Sequence, residues 1–179
     1  MARQGYKKVA REGGVTVYKH RHSSLIRLGA DGRFKGSPAQ VTAALLDYDR
    51  HAGAVGRVSK SKILKRGEKW MLVYQRLSLP VISDRDFTLK VTWEEREGVH
   101  YIRFRCFRAK GPRRPDGVVR LSHHQGSWQL RATRDGKGTI ARFQVSTDMS
   151  GDLPRWIARS GAHGDIPDLF RAIQKLIPR

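Results

Sequence analysis

The stretch LSLPVISDRDFTLKV, residues 77–91, carries the strongest indication of the fold. Pro80 lacks the amide hydrogen that a sheet ladder needs, so a first strand should end there. The loop that follows is apolar where turns are usually polar, and a charged corner of Asp84, Arg85 and Asp86 leads from it into a second, alternating strand. An exposed apolar loop marks contact with other apolar matter, but the same side chains can also fold back into the core. The stretch alone leaves both interpretations open.

The charged corner has a structural and a catalytic interpretation. Two carboxylates close together can serve acid–base catalysis, but an arginine between them keeps both ionised. We therefore expect Arg85 to hold Asp84 and Asp86 in an ion-pair clamp at the exit of the loop, and we predict no catalytic residue there.

Composition indicates one domain spanning residues 1–179, long enough to bury its own core. The single cysteine, Cys106, excludes an internal disulfide and a cysteine-based zinc site, and its alternation with Ile102 and Phe104 predicts an inert thiol. No apolar run reaches the roughly 20 residues of a membrane-spanning helix. The N-terminal residues show no apolar signal segment, so we expect a cytoplasmic protein.

The chain is strongly basic, with 36 Lys and Arg against 16 Asp and Glu and a net charge of +20. Such a field attracts nucleic acids and anionic membrane surfaces. The basic residues alternate along strands, as Arg103 and Arg105 do, or cluster in loops, rather than forming a disordered arm or a recognition helix. We expect transient contact with an anionic membrane surface and no specific nucleic-acid partner.

Hydrophobic periodicity predicts a mostly β chain between two helical segments. Ser37 and Pro38 form a helix start, and the helix that follows should end near Gly53. Short turns between consecutive strands predict an antiparallel meander. The strands are predicted at residues 15–20, 25–35, 57–65, 69–79, 86–93, 100–108, 118–134 and 139–149.

The C-terminal residues change to helical spacing. A helical face formed by Ile166, Leu169, Phe170, Ile173, Leu176 and Ile177 runs to the end of the chain. Because Gly161, Gly164 and Pro167 interrupt this segment, we expect it to bend or break. The predicted fold class is α+β, with an amphipathic helix laid across a long curved sheet.

The sequence lacks the motifs of common enzyme classes. It has no nucleophile elbow, no P-loop and no dinucleotide-binding glycine motif. The histidine pairs His20/His22 and His123/His124 lack a third ligand at zinc spacing, and neighbours on a strand point to opposite faces. We predict no metal and no cofactor.

Four blocks of the sequence resemble START (steroidogenic acute regulatory protein-related lipid transfer) domains. Residues 77–91 resemble the family's P-x-P-v-s-d-R-D-f segment, and VSTDMSGDLPRWI at 145–157 resembles its entry into the C-terminal helix. Residues 14–18 and 30–38 are similar to its opening strands and helix start. The resemblance covers about residues 5–178 and implies a helix-grip fold, in which a curved antiparallel sheet wraps around a long C-terminal helix with an internal apolar cavity.

The resemblance also implies roles for individual residues. A gate loop would comprise Leu79, Pro80, Val81 and Ile82, while Asp84, Arg85 and Asp86 would be a structural corner. The acid–arginine pair of sterol-transferring members has no counterpart here, because residues 69–83 contain no acid. The implied cavity wall and lid consist of Met71, Val73, Phe87, Leu89, Val91, Trp93, Ile102, Phe104, Trp128, Leu130, Phe143, Val145, Trp156, Ile157, Phe170 and Ile173.

The sequence and the resemblance lead to three hypotheses about function and to one alternative in which the protein has no ligand cavity. The leading hypothesis is a monomeric, non-enzymatic protein that binds and transfers one hydrophobic ligand, namely a lipid, fatty acid or phospholipid. A second is an aromatase/cyclase-like enzyme acting on a hydrophobic polyketide-type substrate, with Tyr74, Gln75 or Tyr101 as polar groups. A third, nucleic-acid binding, rests on charge alone. The negative alternative is that the apolar faces close into a solid core without a cavity.

Overall fold

A computed structural model describes residues 5–21, 25–79, 82–107, 111–148 and 162–178 of the chain. Within these ranges ten strands form one sheet, and two α-helices pack against it. The helices are α1 (Pro38–Leu46), continued by a 3-10 turn at Tyr48–Arg50, and α2 (Ala162–Leu176). The strands are β1 (Tyr6–Glu12), β2 (Val15–His20), β3 (Ile26–Lys35), β4 (Val58–Arg66), β5 (Trp70–Leu77), β6 (Arg85–Arg96), β7 (Val99–Cys106), β8 (Val119–Arg120), β9 (His124–Ala132) and β10 (Gly138–Thr147).

The sheet is antiparallel except for one short parallel pair. Its order is β1-β2-β3-β10-β9-β7-β6-β5-β4, and β8 pairs with β6 in parallel. The antiparallel meander predicted after the first helix is confirmed from β4 to β10, apart from β8. β3 pairs with β10 at the end of this meander, because the segment containing α1 carries the chain to the opposite edge at β4. The single strand predicted at 118–134 is two strands, since β8 leaves the β9 line to pair with β6. The α+β architecture with a C-terminal helix is confirmed.

Helix α1 begins at the predicted residues. The Ser37 side chain accepts a hydrogen bond from the Gln40 amide, while the Gln40 side chain accepts one from the Ser37 amide, which completes a capping box. Pro38 occupies the first turn, where its missing N–H costs nothing. The α-helix ends at Leu46, well before the predicted Gly53, and the 3-10 turn directs the following segment along the inner face of the sheet.

Helix α2 crosses the inner face without the expected break between residues 162 and 176. Pro167 lies in the second turn, so the hydrogen bond that it forfeits is one to the first turn and the rest of the helix continues. Phe170 stacks on Phe34 with ring centroids 5.0 Å apart. A side chain at Gly32 would meet the Phe170 ring at 2.6 Å, so this glycine, inside β3, allows the helix to approach the sheet closely.

Candidate functional site

A cavity of about 330 Å³ lies between the inner face of the sheet and α2. Protein interiors contain few voids larger than one water molecule, whose share of liquid volume is about 30 Å³, so this space is not a packing defect. Its volume falls at the lower end of the range of small-molecule sites. The apolar lining consists of Ile26, Leu28, Leu45, Val55, Val58, Leu77, Leu79, Leu89, Ile102, Phe104, Trp128, Phe143, Val145, Ile166, Leu169 and Ile173.

An aromatic cluster closes one end of the cavity. The Trp128 ring lies 4.4 Å from that of Phe143 and 5.2 Å from that of Phe170 between centroids, and Phe170 in turn stacks on Phe34. Beyond these rings the strands carry aliphatic or small polar side chains, such as Leu28 and Thr147, that leave the space open. Packing therefore makes one half of the inner face solid and the other half hollow.

His124 is the polar group set among aromatic rings of the cavity wall. Its Nδ1 lies 2.7 Å from Oγ1 of Thr147, and its ring centroid lies 4.7 Å from that of Phe87 and 5.3 Å from that of Phe104. Burial, with a smaller contribution from the charge of neighbouring His123, lowers the pKa of His124 to about 4. The imidazole is therefore neutral at physiological pH and compatible with an apolar ligand.

Tyr48 and His51 contribute two further neutral groups from the segment that follows α1. The His51 Nε2 lies 3.2 Å from the Ala44 carbonyl oxygen, and the two rings lie 4.7 Å apart. Burial lowers the pKa of His51 and raises the pKa of Tyr48. Each shift favours the uncharged form, so this side of the cavity also carries no charge near neutral pH.

One ion pair borders the cavity. The Arg57 Nε donates to both carboxylate oxygens of Asp165 at 3.1 and 3.3 Å, and both side chains keep a third or more of their surface exposed. The pair joins the segment before β4 to the first turns of α2. Its position makes it a contact that must loosen if α2 moves away from the edge of the sheet.

The charged corner is held by arginines from other elements. Asp84 accepts a hydrogen bond from Arg76 Nε at 2.6 Å. Asp86 has no exposed surface and accepts two from Arg120, Nε at 2.9 Å and Nη2 at 2.6 Å. Arg85 lies on the opposite face of β6, where it donates to the Ser83 carbonyl, since successive side chains of a strand alternate. The expected clamp around Arg85 is therefore corrected: the corner is structural, but Arg76 and Arg120 supply its ion pairs.

Because side chains alternate along a strand, two of the polar residues considered for catalysis do not face the cavity. The Tyr74 hydroxyl donates to Asp86 Oδ2 at 3.1 Å on the outer face, and Tyr101 bonds to Gln129 there at 3.4 Å. Gln75 does line the cavity, and its Nε2 donates to Ser61 Oγ at 3.0 Å. Of the three polar groups considered for a cyclase, the structure brings only Gln75 to the ligand space.

The residues predicted for the cavity separate into three groups. Leu89, Ile102, Phe104, Trp128, Phe143, Val145 and Ile173 line it, as does Leu79 of the gate loop. Ile82 is half-buried but is not part of the lining, while Pro80, Val81, Trp156 and Ile157 lie outside the described residues. The others pack in the core or against it: Met71, Val73, Phe87, Val91, Trp93, Leu130 and Phe170.

Several lining residues were not predicted. His51, Val55 and Arg57 lie in the irregular segment between the 3-10 turn and β4, and Tyr48, which shares the helical face of Val41 and Leu45, was not assigned to a cavity. Ile26 and Leu28 could have been found, because they alternate with the buried Ala30 on one face of β3. His124 and Thr147 are directly paired across β9 and β10, which needs the sheet register to be known.

Two other kinds of site were sought in the described part of the chain. No group of three or more His, Cys, Asp or Glu side chains lies close enough to hold a metal ion there. In the same ranges, no helix combines the length and hydropathy needed to span a bilayer.

Solved structures resemble this one, although no protein-family model and no curated protein sequence matches the chain. A fragment of the STAR-related lipid transfer protein from Xanthomonas axonopodis matches with a TM-score of 0.86 at 22% identity, over 98% of this chain and 100% of that chain. Human StAR-related lipid transfer protein 5 gives 0.80 at 16% identity, over 97% and 86%. The Zhui aromatase/cyclase from Streptomyces sp. R1128 gives 0.59 at 16% identity, over 86% and 91%.

These similarities establish the fold. The chain has the helix-grip fold of START domains, which confirms the resemblance inferred from its sequence blocks. Identities of 22% and below do not transfer an activity or a ligand, because one fold carries many functions.

Proposed function

We propose that the protein binds one hydrophobic ligand in the cavity between the sheet and α2, without catalysing a reaction. The observation that carries this proposal is the hollow apolar cavity of about 330 Å³. Removal of apolar ligand surface from water supplies about 25 cal/mol per Å², which is offset in part by the cost of association. The neutral forms favoured for Tyr48, His51 and His124 suit an apolar chain rather than a charged group inside.

A lipid or fatty acid is the ligand class that fits this arrangement best. Its chain would occupy the apolar space, and its polar end would lie towards the border, where Arg57 is found. The lipid transfer proteins of similar fold support this assignment by analogy. Transfer between membranes is part of the proposal, since the net charge of +20 attracts anionic bilayers.

Cyclase-type catalysis is the weaker proposal. The fold similarity to an aromatase/cyclase favours it, but Tyr74 and Tyr101 lie on the outer face. Gln75 and a neutral His124 are the polar groups left to act on a substrate. This set supports binding over catalysis.

Filling the cavity should abolish ligand binding. Val145 lines the cavity on β10, and a Val145→Phe substitution would place a ring in the ligand space. Ile140→Phe is the matched control, because Ile140 is 44% exposed on the same strand. We expect native mass spectrometry of the wild type to show a bound hydrophobic molecule. A fluorescent fatty acid should bind the wild type and the control alike, and should bind Val145→Phe at least tenfold more weakly.

Two results would contradict the proposal that a hydrophobic ligand occupies this cavity. A wild-type mass equal to that of the bare polypeptide, together with no fluorescent fatty-acid binding, would refute the proposal. Equal binding to Val145→Phe and the wild type would show that the ligand lies elsewhere.

Breaking the Arg57–Asp165 pair should speed ligand release. Arg57→Gln removes an exposed ion pair, which costs at most about 1 kcal/mol of folding free energy, yet it loosens α2 beside the cavity. Arg171→Gln is the control, since Arg171 joins α2 to Glu12 of β1 with similar exposure. Stopped-flow displacement should show a several-fold faster release for Arg57→Gln alone, and equal rates in both variants would exclude this pair as a latch.

A further inference from the structure

A row of seven residues, four of them basic, crosses the outer face of the sheet, on the side away from the cavity. The strand register places each member directly opposite the next on the neighbouring strand. At about 4.8 Å per strand, the row is about 29 Å long. Its members, here called the basic row, are Lys65, Leu72, Lys90, Arg105, Gln125, Ser146 and Arg27, in spatial order.

The basic row opposes like charges at its centre, and none of its seven members is an acid. Lys90 and Arg105 are directly opposed across β6 and β7, an arrangement that destabilises a sheet. Lys65 and Lys90 both lie over the Trp70 ring, at 5.9 and 6.0 Å from its centroid. Folding alone gives no reason to keep such repulsion, whereas binding of an anion would remove it.

The centre of the row lies in a groove of about 640 Å³. Arg27, Lys90, Arg103 and Arg105 line it, of which Arg103 is paired with Glu94, and no carboxylate of the described residues lines it. Hydroxyl and amide groups, which can also bind phosphate oxygens, fill the spaces between the cations. They belong to Gln125, Ser127, Gln144 and Ser146.

We propose that this groove binds single-stranded nucleic acid through its phosphates, without sequence preference. A positively charged groove with aromatic rings on which bases can stack is the usual means of such binding. Tyr6 lines the groove near one end of the row and is the ring on which a base can stack.

The groups in the groove favour a single strand over a duplex. A duplex has its bases paired, so none is free to stack on Tyr6. The cavity lies on the opposite face of the same strands, so both ligands can be bound at once.

The test compares two double variants that lose the same charge. Lys90→Gln/Arg105→Gln removes the opposed pair, whereas Arg131→Gln/Lys137→Gln removes two exposed cations, of which Arg131 lies about 20 Å along β9 from the row. Fluorescence anisotropy with a labelled oligouridylate of roughly 12 nucleotides gives the affinity at several salt concentrations. Each single-strand phosphate contact contributes about 0.7 to the log–log salt slope, so the row variant should reduce the slope by about 1.4.

We expect the row variant to bind at least tenfold more weakly at low salt while the control changes less than twofold. Equal losses in the two variants would overturn the proposal, since they would show only the general field of a basic protein. Equal affinity for duplex DNA, or tighter binding to phosphatidylserine vesicles that the row variant also loses, would assign the groove to another partner and overturn it too. Thermal unfolding should show the row variant to be as stable as the wild type, because a repulsive pair has been removed.

Discussion

An Arg120→Met variant should unfold with a free energy about 3–5 kcal/mol below that of the wild type. Asp86 has no exposed surface, and two of the three hydrogen bonds that reach its carboxylate come from Arg120. Without the guanidinium, a buried charge would keep only the Tyr74 hydroxyl at 3.1 Å. Breaking one side of a buried pair costs far more than the pair itself contributes, because the remaining charge cannot be solvated.

The same interaction also holds β8 in place. The amides of Val119 and Leu121 donate to the carbonyls of Asp84 and Asp86, both at 2.9 Å, so Arg120 lies between two backbone contacts of a two-residue strand. Arg120 Nη1 donates further to the Pro112 carbonyl at 2.9 Å. The corner therefore joins β5, β6 and β8, and its loss should disorder the start of β6.

Urea unfolding with two comparison variants isolates this effect. Arg142→Met breaks the exposed Arg142–Asp31 pair on the same face and should cost less than about 1 kcal/mol. The double variant Arg120→Met/Asp86→Leu should recover much of the loss, since apolar groups can replace a buried ion pair at little cost. A loss for Arg120→Met no larger than that for Arg142→Met would show that Asp86 is not held as the structure indicates.

The corner illustrates how far the sequence predicts this site. The motif around Asp84–Asp86 predicted a structural corner, but its partner Arg120 is 34 residues away and reaches it only through a parallel pairing that no local pattern announces. Alternation correctly placed Phe87 and Leu89 on one face. It could not show that Val91 packs in the core while Leu89 lines the cavity.

The segment between α1 and β4 shows the second limit of sequence patterns. Tyr48 continues the helical face of Val41, Ala44 and Leu45, but the α-helix ends at Leu46. The place of His51 and Val55 in the cavity therefore depends on the course of the irregular chain that follows. The basic row shows a third limit, which is that of the sheet register. Its four cations are far apart in the sequence, and they become one surface only when the register brings seven strands together.

Acidification should destabilise the protein through His124. Burial and the nearby His123 lower the pKa of His124 to about 4 in the folded protein, against 6.5 for an unperturbed histidine. Between these two pH values the unfolded chain binds more protons than the folded one, so stability falls as the pH drops. A difference of this size corresponds to about 3 kcal/mol lost between about pH 6.5 and pH 4, with no loss from this group above pH 7. His51, whose pKa is also lowered by burial, adds a loss of the same sign.

A His124→Gln variant should remove most of this dependence. Glutamine keeps a hydrogen-bonding group within reach of Thr147 Oγ1 but cannot take up a proton. The unfolding free energy of the variant should therefore change little between about pH 7 and pH 4, apart from the contribution of His51. Urea unfolding across this range checks the stability, and the NMR titration of the His124 ring protons checks the pKa directly. Fluorescent fatty-acid affinity measured in parallel should fall with pH for the wild type but not for the variant, because a protonated imidazole would place a charge in the apolar cavity. Identical pH profiles for the two proteins would mean that His124 is exposed to water, and that the adjoining wall of the cavity is exposed to water as well.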